Sequence, residues 1–187
     1  FTALPIAFIG VFMGVCYSSI IGFLAAFTQG NNLIDAGSLF FIVYAVFIIV
    51  SRPFSGRLFD LKGEKFVMYP TFLLFAIGLF LISQAHQGSI LLLAAAFVGL
   101  GFGTFMPCAQ AIAVKAAPIH HLGLATSTFF ICMDGGMGFG PSLLGVMIPI
   151  LGYRELYFSM GILAIASMVL YYFLCGKASK QGKTSQL

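Results

Sequence analysis

Charge is what this chain has least of. Lysine and arginine together number 9 and the acidic residues 5, so 7% of its 187 residues are charged against 60% hydrophobic, whereas a water-facing domain carries about a quarter. A soluble globule is thereby excluded, because too few charged residues remain to cover it. Metal-ligating sets are also missing. Cys16, Cys108, Cys132 and Cys175 lie far apart in apolar surroundings, at neither metal nor redox spacing, and read as small packing residues. His120 and His121 stand beside Pro118 without further ligands and read as a solvated turn. No cofactor is expected. The chain opens on Phe1 rather than Met and lacks the charged n-region and small-residue cleavage site of a signal peptide, so it reads as a fragment or a processed piece.

What the chain has is long apolar runs, with a mean hydropathy of +1.07. About 20 apolar residues in a helix cross the hydrocarbon of a bilayer, and gaps in the pattern set spans near 4–28, 36–52, 66–85, 89–113, 123–149 and 154–175. These runs are too long for barrel strands and lack their period of two, and a lipid-facing segment must satisfy its own backbone, so the spans are predicted as helices. Gln29-Gly30-Asn31-Asn32, Gln87-Gly88-Ser89, Pro118 and Gly152 punctuate the breaks. The fold class expected is all-α: a polytopic membrane protein of six transmembrane helices.

The few charges give an orientation. Arg52, Arg57, Lys62 and Lys65 follow span two, Lys115 follows span four, and Lys177, Lys180 and Lys183 follow span six, while Arg154 alone lies on the other side. Under the positive-inside rule both termini and the 53–65 and 114–122 loops are cytoplasmic. The net charge of +4 is then a topology signal and no nucleic-acid footprint. Residues 177–187 read as a basic cytoplasmic tail attracted to anionic lipid.

The segment from Arg52 to Lys65 carries the most information. Gly56 permits close approach of helix ends, Gly63 suits a left-handed turn, and Asp60 can accept hydrogen bonds from a helix N-terminus or pair with Arg57 or Lys65. Gly56, Leu58, Asp60, Gly63 and Lys65 follow the pattern G-x-L-x-D-[RK]-x-G-[RK]-[RK]. In this the chain resembles the major facilitator superfamily, which carries that signature between the second and third helices of each six-helix half. Leu61 and Glu64 stand where the pattern is usually basic, an erosion similar to the copy in C-terminal halves.

Span five holds a second signature, Asp134 to Gly145. Gly136, Gly140 and Gly145, with Pro141 after Gly140, look like the glycine-proline motif of antiporter-type members, in the D-x-G-x-x-x-G-P form of the second half. Glycines four apart let another backbone approach, and proline bends the axis. Tight packing without any gating role is the plainer reading.

Asp134 is read as the one charged side chain well inside a span, about 16 Å past Gly123. An ionised carboxylate there is costly unless paired, hydrated or protonated, so Asp134 is a candidate for carrying protons or binding substrate, or else a buried cap for its glycine-rich helix. Tyr17, Tyr44, Gln110 and Thr128 are lesser candidates for a cavity lining, with Ser18, Ser19, Thr126 and Ser127 behind them. Ser and Thr commonly bond their own helix.

No span holds the interior histidine that an intramembrane serine protease needs, and neither an Arg-rich sensor helix nor a carbonyl filter loop is present for a channel. No enzymatic activity is expected. The resemblance implies two inverted three-helix repeats, about 1–86 and 87–176, within a 1–176 bundle that is half of a twelve-helix transporter. It further implies alternating access against a missing N-terminal half, with protons coupled to efflux of small lipophilic or cationic solutes. A membrane scaffold or assembly subunit, or an exporter of a sugar or metabolite, is the alternative.

The topology is open to a direct test. In a cysteine-free background, cysteines at Lys62, Lys115 and Lys180 should react only with cytoplasmic reagent and one at Asn32 only from outside. Reaction of positions 62 and 32 from the same side would sink the six-span arrangement.

Overall fold

A computed structural model describes residues 4–174. Cys175 and the basic tail 177–187, with Lys177, Lys180 and Lys183, lie outside the described residues, so the tail expectation is not addressed by the structure.

Six helices are long and apolar enough to cross a membrane: α1 Leu4–Gly30, α2 Ile34–Lys62, α3 Glu64–Ser83, α4 Gly88–Lys115, α5 Leu122–Leu151 and α6 Tyr153–Leu174. Among the described residues there is no strand. Three of the five breaks fall where the backbone needs special conformations: Asn32 at φ 56, Gly63 at φ 84 and Gly152 at φ 85, a region closed to most side chains. Between α4 and α5 a short 3-10 turn, Ile119–His121, leaves His120 and His121 exposed.

One boundary corrects the sequence reading. The segment 53–65 is no loop; α2 runs through Arg52, Pro53 and Arg57 to Lys62, and Gly63 alone separates it from α3. Ser51, Ser55 and Phe59 are buried, and their four-residue spacing keeps one face of this extension against the bundle. The Ser51 and Ser55 hydroxyls donate to the Ile48 and Arg52 carbonyls, while Pro53, inside the helix, removes the backbone donor that would bond the Ile49 carbonyl. Gly56 is corrected too: it is exposed, and a Cβ there would meet nothing within 4 Å, so it brings no helix ends together within this chain.

Packing follows a doubled pattern. α1 lies along α5 and α2 along α4, while α3 packs on α4 and on α6, and α1 also packs on α6. Exchanging the first three helices for the last three carries the α1/α5 contact onto α4/α2, the relation expected of two three-helix repeats. Lipid supplies no hydrophobic drive between helices, so close backbone approach decides which pairs form. On α5, a Cβ at Gly136 would overlap the Val11 carbonyl and one at Gly140 the Ser18 hydroxyl. The equivalent α4 contact brings Gly99 against the Tyr44 carbonyl and Gly103 against Ile48. Gly145 departs from the expected motif: it is exposed, with Phe23 3.9 Å from a built Cβ, because it falls five residues after Gly140 and the buried position is Leu144.

At the end opposite Lys62 and Lys115, Arg154 joins three connections. Its guanidinium donates to the Ser83 and Ala85 carbonyls and to Asn31 Oδ1, each at 3.2 Å. His86 Nδ1 lies 2.7 Å from the Gln84 carbonyl, which makes that nitrogen the donor and leaves Nε2, 3.2 Å from Arg154, to accept. The lone basic residue on this side, read from sequence only as a topology marker, is thus a clasp holding α6 to the α1/α2 and α3/α4 turns.

The glycine contacts carry a prediction. Gly136→Ala should destabilise the protein by about 1–3 kcal/mol, because the overlapped atom is backbone and cannot swing away. Gly138→Ala, where a Cβ meets nothing within 4 Å, should leave the melting temperature level or higher. Equal melting of wild type and Gly136→Ala would remove close approach from the account.

Candidate functional site

α2 and α5 are the least covered helices, with 17% and 22% of their apolar stretches buried against 39% for α6 and 56% for α1, α3 and α4. Most of the surface of α2 and α5 thus stands outside the bundle, and space remains between them and the α1 and α4 helices on which they pack.

A cavity of about 320 Å³ lies there, lined by residues of α1, α2 and α4 with Met137 of α5. Three sequence candidates converge in it: Tyr17, Tyr44 and Gln110. Tyr44 donates its hydroxyl proton to the Tyr17 oxygen at 2.9 Å. Tyr17 also lies flat on Phe102, with ring centroids 3.9 Å apart and planes 8° from parallel. From Phe102 a column of rings continues through Phe105 and Phe72 to Tyr171. The cavity wall is thereby fixed to the centre of the bundle by aromatic contacts rather than by one helix alone.

Arg52 lines the same cavity, and sequence reasoning missed it. Arg52 and Pro53 together read as the end of a span, yet α2 continues to Lys62. Arg52 is thus inside α2, ten residues before its end at Lys62. Asp134 is therefore not the only charge inside a span. The signal was available in Ser51, Ser55 and Phe59, whose spacing continues a buried helical face past the proline.

The other candidates fall elsewhere. Asp134 is exposed on α5, one turn before Met137, and is not among the residues lining the cavity. Thr128 returns its hydroxyl to the Leu124 carbonyl at 2.7 Å, and Thr126 does the same with Leu122. Ser18 and Ser19 are buried and bond the Val15 and Cys16 carbonyls. Gly136 and Gly140 are buried in the α1 contact, and Pro141 lies beside Gly22. Arg57, Asp60 and Gly63 are exposed and Lys65 is half-buried, all at the α2/α3 junction. The conformational motif thus sits apart from the cavity, at the basic end of the bundle.

The bundle thus combines six helices long and apolar enough to cross a membrane with an aromatic-walled cavity. The family model for the Major Facilitator Superfamily matches residues 6–186, and the chain belongs to that superfamily. It is similar to the multidrug resistance protein MdtG of Proteus mirabilis (strain HI4320), 29% identical over 179 residues, covering 91% of this chain and 44% of that protein. A similar relative is the MdtG of Dickeya zeae (strain Ech586), 30% identical over 180 residues with the same coverage. The chain spans less than half the length of these relatives. Among solved structures, the crystal structure of a POT family transporter in complex with 5-aminolevulinic acid superposes with a TM-score of 0.79 at 16% identity, over 91% of this chain and 37% of that one. That likeness shows a shared fold.

Proposed function

We propose that this chain is the C-terminal six-helix half of a proton-coupled exporter of small lipophilic solutes, working by alternating access against a second half. The observation that carries the reading is the cavity walled by Tyr17, Tyr44 and Phe102 and floored by Met106 and Met137. Aromatic and thioether surfaces accept varied apolar bodies. The relatives named as multidrug resistance proteins support export, and their greater length supports a partner half.

In this reading the bundle divides into repeats near residue 86, the basic end faces the cytoplasm of an inner-membrane protein, and both termini lie on that side. The junction holding Arg57, Asp60, Gly63 and Lys65 serves as a latch whose contacts differ between inward-open and outward-open states. Asp60→Asn should then shift the balance of those states by about 1–2 kcal/mol. Spin-label distances across the cytoplasmic face measure this, and an unchanged distribution would leave the junction as a simple connection.

Asp134 is the proposed proton carrier. It is exposed on α5, one turn before the cavity-lining Met137, and a membrane carboxylate that faces water in one state exchanges protons as access alternates. Asp134→Asn keeps the shape and much of the hydrogen bonding but cannot ionise. In proteoliposomes of the intact transporter it should abolish export driven by a proton gradient while leaving the protein folded. Gradient-driven export at the wild-type rate would dismiss the coupling role.

A further inference from the structure

We infer that Arg52 is the anion-binding residue of the cavity, so that the solute handled by this half is an amphipathic organic anion: a flat or apolar body carrying a carboxylate, sulfonate or phosphonate. The inference rests on the transporter reading and gives its substrate a charge, opposite to that of the cationic class which the family resemblance allowed beside lipophilic solutes.

Arg52 lines a cavity whose other walls are mostly apolar, and a cation in such surroundings is stabilised by water or by an anion. Among the described residues lining it, Arg52 is the one ionised side chain. Its guanidinium is planar, always charged and forked, and so fits two oxygens of one anionic group. The remaining polar atoms are donor-rich. In the Tyr17–Tyr44 pair one hydroxyl proton is used between the two oxygens, and the other remains to donate outward. Gln110 adds two amide protons against one carbonyl. A solute that satisfies this set must bring acceptors.

The apolar surroundings limit the rest of the molecule. Ile48, Phe102, Met106, Pro107 and Met137 leave no further charge to match, so the body is apolar. A cationic solute is opposed by the fixed guanidinium. It also finds the faces of Tyr17 and Phe102 turned on each other at 3.9 Å, so the inner faces of these rings are closed to a cation–π contact. The charged groups nearest along the neighbouring helices are Asp134 on α5 and Lys115 at the end of α4. Asp134 lies outside the cavity lining, and Lys115 stands over the Phe59 ring at 4.4 Å.

Three naphthalene probes that differ in charge test the idea by equilibrium dialysis against the purified intact transporter: 2-naphthoate, 2-naphthylmethanol and 2-naphthylmethylammonium. Wild type should bind the naphthoate about tenfold or more tighter than the ammonium probe, as a charge-assisted hydrogen bond implies. R52Q should lose about tenfold in naphthoate affinity while holding the neutral alcohol within about twofold, and R52K, which keeps the charge without the fork, should fall between. Ammonium bound as tightly as naphthoate by wild type overturns the inference. So does equal weakening of all three probes by R52Q, or the absence of saturable naphthoate binding. If R52Q does not fold, the wild-type order and R52K decide. Uptake of the same probes into proteoliposomes separates the two readings. A naphthoate preference without movement of any probe defeats transport alone, and movement without charge preference defeats the role of Arg52 alone.

Discussion

The close approach of α5 to α1, repeated between α4 and α2, is the contact on which the rest of the bundle depends. Within a bilayer, a helix gains little by exchanging lipid for another apolar helix, so selective pairing must come from distance. At Gly136 and Gly140 the α1 backbone and the Ser18 side chain occupy the space where a Cβ would stand. That approach sets the height and rotation of α5 against α1, and with them the direction in which Met137 and Asp134 face. The contact of Gly99 and Gly103 with Tyr44 and Ile48 fixes α2 on α4 in the same way, bringing the Tyr44 hydroxyl to that of Tyr17. The cavity is thus a product of two backbone contacts made on either side of it.

Much of this fold was legible because the physics of crossing a membrane is coarse. A span needs an apolar run of sufficient length, and each of the six runs became a helix with ends close to those read from composition. The exception is instructive. Arg52 and Pro53 are poor residues for lipid, and a reading by hydropathy ends the span there. Yet α2 is held by Ser51, Ser55 and Phe59 on its bundle face and leaves Phe54 71% exposed on another. Hydropathy averages over faces and so loses a charge that points into a cavity.

The site was less legible than the fold. Tyr17, Tyr44 and Gln110 were nameable as polar groups in apolar runs, but nothing in their spacing announced that they meet, because helices apolar on every side carry little periodic signal. Phe102 was indistinguishable from the other 21 of the 22 phenylalanines until its ring was found flat on Tyr17. Thr128 shows the opposite case: the hydroxyl was visible, and the structure returns it to its own helix, the ordinary fate of threonine in a nonpolar setting. Arg154 was counted only for its side of the membrane, since a guanidinium bonding carbonyls from separate turns leaves no local pattern.

These contacts divide the bundle into a fixed part and an exposed part. The ring column from Tyr17 to Tyr171 and the Arg154 clasp tie helices that are distant in sequence, so α1, α3, α4 and α6 form a body that resists internal rearrangement. α2 and α5 lie on its flanks, each held by a glycine-lined seam and each bare on its outer face. The cavity draws on both parts: Tyr17, Phe102 and Gln110 come from the fixed body, and Tyr44, Arg52 and Met137 from the flanks. Conformational change in such a body is cheapest as motion of the whole against a neighbour, because bending it internally would separate packed rings and backbones at several points together. The junction between α2 and α3 lies at the end of one of those flanks, with Gly63 alone separating α3 from the helix that carries Arg52. Between that junction and the cavity α2 is one helix, with Pro53 removing a single backbone donor from its ladder.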